Sequence, residues 1–235
     1  MDILSVIHPT VLSAFSADSI HSARSAKLAS SRLLSICGPA LLTDVHLEGH
    51  EGGGGGSARL GDIKSLLQMR NLVRVTLDFG LELEDSAIEM MGSAWPRLQI
   101  LILPSLPGTK LTLRALLSVA QHCSSLEHLE ITVNATDLSR APPSSPPPPG
   151  TPCSALRILS VGRSFVGEGS DAIAALLARF YPNLTLLHYD YLPSWKTQQE
   201  KEQAQRWERI CTLRPLFVAA IGAGFYGTPH PGSIE

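Results

Sequence analysis

The chain has 235 residues, a formal net charge of −2, 17% charged residues and 44% hydrophobic residues. These values fit one domain with a sizeable core and exclude a disordered or polyelectrolyte chain. No basic stripe is visible and no run of about 18 apolar residues occurs, so neither nucleic acid nor a membrane is expected as a partner.

Met1-Asp2-Ile3-Leu4 lacks the basic region and cleavage site of a secretory leader. Cys37, Cys123, Cys153 and Cys211 form no C-x-x-C pair, and the first three hold related places in the repeat described below. Packing rather than bridging is expected of them, in a reducing intracellular setting, cytoplasm or nucleus. In that setting the sequons Asn134-Ala-Thr136 and Asn183-Leu-Thr185 receive no glycan. Residues 1–39 read as an irregular apolar segment followed by a helical stretch through Leu28, Leu33 and Leu34, either a cap or an incomplete repeat.

From Ala40 a pattern Leu-x-x-apolar-x-apolar recurs six times. It runs through Leu42-Val45-Leu47, Leu72-Val75-Leu77, Leu98-Leu101-Leu103, Leu126-Leu129-Ile131, Leu156-Leu159-Val161 and Leu184-Leu187-Tyr189. The starts lie 30, 26, 28, 30 and 28 residues apart, the period of a solenoid whose units bury their apolar faces on their neighbours. Each triplet predicts a short strand preceded by a helix. Leu66, Leu67 and Met69 precede the second strand, and Ile88, Met91 and Trp95 the third. Leu113, Leu116, Leu117 and Ala120 precede the fourth, and Ile173, Leu176, Leu177 and Phe180 the sixth. Ser86-Ala-Ile-Glu89 has the form of a capping box that starts a helix there. Three residues ahead of the strand leucines stand Trp95, Cys123, Cys153 and Tyr181, with Met69 a weaker version, as plugs for the turn.

Parallel strands joined by helices predict a right-handed α/β superhelix, with the strands on its concave face. Residues 40–192 form this array, interrupted by a flexible glycine loop (52–56) and an extended proline-rich loop (141–152). Residues 193–235 are expected to supply a capping helix from Lys196 to Cys211, with an apolar face of Ala204, Trp207 and Cys211, and then a frayed tail from Phe217.

The period of two along a strand places the residues on either side of each second apolar position on the concave surface. They are Asp44 and His46, Arg74 and Thr76, Ile100 and Ile102, His128 and Glu130, Ile158 and Ser160, Leu186 and His188. An apolar patch of isoleucines and Leu186 rimmed by charge predicts a protein-binding surface, or a surface that another part of the chain covers. Asp44 and Arg74 should form a lateral ion pair.

Enzymatic readings are weaker. Gly167-Glu-Gly169-Ser-Asp-Ala172 matches G-x-G-x-x-A, but its glycines begin too far from the strand end at Val161 for a dinucleotide turn. His46 and His128 fall three strands apart, beyond a shared metal. No catalytic function, no cofactor and no metal are expected.

The helix–strand units with a cysteine or aromatic-proline corner resemble the ribonuclease-inhibitor-like class of leucine-rich repeats. More narrowly, Leu111 to Leu126, Leu156 to Gly162 and Ala174 to Leu184, with the proline-rich loop, resemble the repeats of fungal F-box proteins. The resemblance implies substrate recognition in a ubiquitin-ligase receptor, with a protein substrate on the concave face. A Skp-type adaptor would join only through an F-box, and none is recognisable before Ala40. The alternative is a free-standing repeat scaffold unconnected to ubiquitin, similar to GTPase regulators such as the Ran GTPase-activating proteins.

Overall fold

A short strand with apolar residues at every second position can bury one row of side chains and leave the next row facing out. In the computed structural model, which describes residues 13–18, 20–49, 57–103, 109–137, 155–191 and 197–223, this alternation builds one parallel sheet. Its strands are β1 (Ala14–Ala17), β2 (Asp44–Glu48), β4 (Arg74–Asp78), β6 (Ile100–Ile102), β7 (His128–Glu130), β9 (Ile158–Ser160) and β11 (Leu186–His188), in sequence order. The architecture is an α/β array, open and solenoid-like, with helices flanking the sheet.

The apolar triplets become three stacked rows. Val45, Val75, Leu101, Leu129 and Leu159 lie side by side in register, each almost fully buried. Leu42, Leu72, Leu98, Leu126, Leu156 and Leu184 form the row before them, and Leu47, Leu77, Leu103, Ile131 and Val161 the row after. Complete burial of such a side chain contributes about 1.5–3 kcal/mol, so every repeat anchors its own position in the stack.

Backbone groups at the strand entrances are satisfied between units. The carbonyls of Ser13, Thr43, Val73, Gln99, Glu127 and Arg157 each accept two N–H groups from the following unit, for example Gln99 and Ile100 onto Val73 at 2.8 and 3.1 Å. A corner that left these groups unpaired would cost more than its apolar packing gains.

The connecting segments are α1 (Ala23–Leu41), α2 (Asp85–Ala94), α3 (Leu113–His122) and α4 (Ser170–Phe180). In α1 the regular helix ends at Gly38, whose φ of 65° suits glycine and whose successor, Pro39, disfavours continued helix. The plugs behave alike. Trp95, Cys123 and Tyr181 are buried, and each donates its backbone N–H four residues back at 2.9 Å, closing the preceding helix. The Trp95 indole also donates to the Leu66 carbonyl at 2.9 Å, and the Tyr181 hydroxyl to the Leu116 carbonyl. Cys37, Cys123 and Cys211 are free thiols, and burial pushes the Cys123 thiol up to about 11.

Among the described residues, four short strands lie outside the main sheet. β3 (Ala58–Arg59) pairs with β5 (Leu81–Glu82), and β8 (Asn134–Ala135) with β10 (Phe165–Val166), all parallel.

Several local expectations change. The segment holding Leu66, Leu67 and Met69 forms two 3-10 turns, Leu60–Ile63 and Leu66–Gln68, rather than an α-helix. Its bonds run three residues back, from Leu67 to Lys64 and from Met69 to Leu66. Helix α2 starts at Asp85 with Glu84 as N-cap, so Ser86 caps nothing. The Asp85 carboxylate instead accepts from the Thr112 N–H and hydroxyl at 2.7 and 2.6 Å, tying α2 to the start of α3.

Strand β1 places part of residues 1–39 inside the sheet. The C-terminal helix α5 (Gln198–Gly222) runs eleven residues past Cys211, through Pro215, so Phe217 is helical. The glycine loop 52–56, the proline-rich loop 141–152 with Cys153, and the tail from residue 224 lie outside the described residues.

Candidate functional site

Two rows of side chains stand on the sheet face opposite the buried leucines. Register sets the first as Ala14, Asp44, Arg74, Ile100, His128, Ile158 and Leu186. The second is Ser16, His46, Thr76, Ile102, Glu130, Ser160 and His188, through the same pairings. Every residue expected there from the strand period therefore lies in one of these rows, and β1 adds Ala14 and Ser16.

The rows are not uniformly open. Arg74, Leu186 and His188 are exposed; Asp44, His46, Thr76, Ile100, Ile102, His128, Glu130 and Ile158 are half-buried. Ser160 is buried, a short side chain set in register between the longer Glu130 and His188. Leu186 keeps 51% of its surface exposed, an apolar cost that no described contact offsets.

Polar groups on this face are organised in local pairs. Arg74 meets Asp44 at 3.0 Å, the expected lateral ion pair, and the Thr43 hydroxyl holds the other Asp44 oxygen at 2.6 Å. Arg74 is largely solvated, so the pair fixes side-chain direction more than it stabilises the fold. His46 lies 3.4 Å from Glu48, and His188 3.5 Å from Asp190.

Asp18, His46 and Glu48 offer ligand atoms that all lie within 4.8 Å of one another, one imidazole nitrogen and two carboxylate oxygens able to hold a divalent cation. Sequence reasoning missed this cluster because β1 was not recognised and the two-residues-per-strand rule stopped short of a third row. That row, near the C-terminal ends of the strands, contains Asp18, Glu48 and Asp78 after β1 and on β2 and β4, then Thr132, Gly162 and Asp190 after β7, β9 and β11. His46 and His128 lie on strands three apart, as expected.

The glycine motif has a packing explanation. A Cβ at Gly167 would fall 2.7 Å from the Thr136 carbonyl oxygen, where the backbone after β10 approaches that after β8. Gly169 is the N-cap of α4.

At the opposite end of the sheet α5 forms a polar cap on the last unit. The Gln203 side chain accepts from the Val166 N–H at 2.7 Å and donates to the Val166 carbonyl at 3.1 Å, as a neighbouring strand would. Arg206 also donates to that carbonyl at 2.6 Å, and the Trp207 indole donates to Ser164 at 2.9 Å. Buried Arg214 donates to the Leu184 carbonyl; loss of solvent lowers its pKa. Arg209 grips Asp171 with two bonds of 2.6 and 3.0 Å, which holds that carboxyl below its ordinary range.

No protein-family model and no curated protein matches the chain.

Proposed function

We propose that this chain is a non-catalytic protein–protein interaction module of the leucine-rich-repeat type. Its outward sheet face captures a protein, as substrate recognition in an F-box-type ubiquitin-ligase receptor. The observation that carries the reading is the register of that face. Ile100 and Ile102 stand beside His128 and Glu130, then Ile158 and Ser160, then Leu186 and His188. An apolar strip broken by charge, on a rigid sheet whose opposite face is the core, suits a desolvated contact with a polar rim. The ubiquitin assignment rests on the resemblance of the repeats.

Two measurements test it. Ile102→Asp and Ile158→Asp should abolish capture of the protein partner while changing stability by less than about 1 kcal/mol, because both side chains reach solvent. Destabilisation by several kcal/mol would mark both positions as core and remove the surface. Co-purification of the native full-length product with a Skp-type adaptor supports the ligase role; capture without adaptor turns the reading to a free-standing scaffold.

A further inference from the structure

We infer that the partner of this face is a protein segment with a basic half and an apolar half, lying across the strands; the inference rests on the interaction reading above. Its first support is charge. Asp18, Asp44, Glu48, Asp78, Glu130 and Asp190 lie in the outward rows or their continuation, against the guanidinium of Arg74, which Asp44 already holds, and the imidazoles of His46, His128 and His188. The whole chain is nearly balanced, with 21 acidic and 19 basic residues, so this face departs from the rest. Such a surface repels phosphate-bearing partners and favours lysine and arginine side chains.

The second support is the separation of the two chemistries. Ile100, Ile102, Ile158 and Leu186 stand on β6, β9 and β11, whereas Asp18, Asp44, Glu48 and Asp78 stand on or just after β1, β2 and β4. A segment laid along the rows meets carboxylates over its first half and mainly apolar groups over its second. Seven strands at about 4.8 Å give a track of about 29 Å, the length of an α-helix of about 19 residues.

The third support is that the parts of residues 1–235 outside the described segments carry two lysine or arginine residues, Arg140 and Lys196, one each in two separate segments, so neither of these segments forms a basic strip for this face.

The test uses the full chain and three fluorescent 18-residue synthetic peptides: a Lys/Leu peptide with a lysine-rich half and a leucine-rich half, its Glu/Leu counterpart, and a Lys/Ser peptide without apolar groups. The Lys/Leu peptide should bind at least tenfold more tightly than either other, and weaken more than tenfold between 50 and 500 mM salt. Asp78→Lys with Glu130→Lys should weaken it at least tenfold, and the milder Asp78→Asn with Glu130→Gln at least threefold. Glu89→Lys with Glu202→Lys, the same charge change at exposed helix positions, should leave it within twofold.

Equal binding of the three peptides, equal loss from the helix-position variant, or no Lys/Leu binding overturns the inference. If the Glu/Leu peptide binds best and Ile102→Asp removes it, the basic partner falls while the interaction reading stands. Binding of RNA or anionic vesicles, or self-association lost in Asp78→Lys with Glu130→Lys, assigns the face to another occupant and also overturns it.

Discussion

The cap that α5 places on the last unit makes an unequal prediction about two neighbouring side chains. Val166 is fully buried; its N–H has Gln203 as acceptor, whereas its carbonyl has two donors, Gln203 and Arg206. Gln203→Leu preserves volume and orphans the N–H, at a cost of about 1–3 kcal/mol for a buried unpaired donor. The carbonyl keeps Arg206. Arg206→Leu leaves the carbonyl bonded to Gln203 and should cost at most about 1 kcal/mol. Only the double variant orphans both groups, so it should exceed the sum of the singles by about 1–2 kcal/mol. Urea unfolding followed by tryptophan fluorescence, to which Trp207 beside Val166 contributes, reads this cycle. Equal costs for the two singles, or strict additivity, would refute the assignment of partners.

Other outcomes follow from local features. Gly167→Ala forces a Cβ against the Thr136 backbone and should destabilise by about 1–3 kcal/mol, while a nucleotide titration of the unsubstituted chain stays flat. Arg209 lowers the Asp171 pKa, so the pair contributes fully above the unfolded carboxylate pKa of about 3.9. That contribution is lost as pH falls through the lower folded value, and Arg209→Gln should move the Asp171 carboxyl titration upward by NMR. The Cys123 thiol, raised to about 11, should resist a thiol reagent at pH 8 until the chain unfolds. Thiol labelling located by mass spectrometry checks this.

The strand phase was legible because the leucine triplets pin it: a one-residue slip would send Val75 and Leu101 to solvent and Thr76 into the core. β1 escaped detection because Ala14-Phe15-Ser16-Ala17 has one large apolar residue and no leucine; its pairing with β2 supplies what its composition does not. The 3-10 turns were hidden because apolar spacing over Leu66, Leu67 and Met69 is the same for either helix type. Gln203, Arg206 and Arg214 look like an ordinary solvated helix face, and only the open carbonyls and N–H groups of the last unit reveal their use. The acidic third row needed β1 to bring Asp18 beside Glu48.

The paired acceptance at each strand entrance also gives the array an order in time. Each accepting carbonyl, from Ser13 to Arg157, precedes its two donors in the chain, and so leaves the ribosome first. At about 5–20 residues per second a repeat of this length takes a second or more to emerge, whereas local structure forms in microseconds. Synthesis therefore presents each accepting carbonyl before its donors, and the apolar edge of the last unit stays uncovered until α5 has emerged.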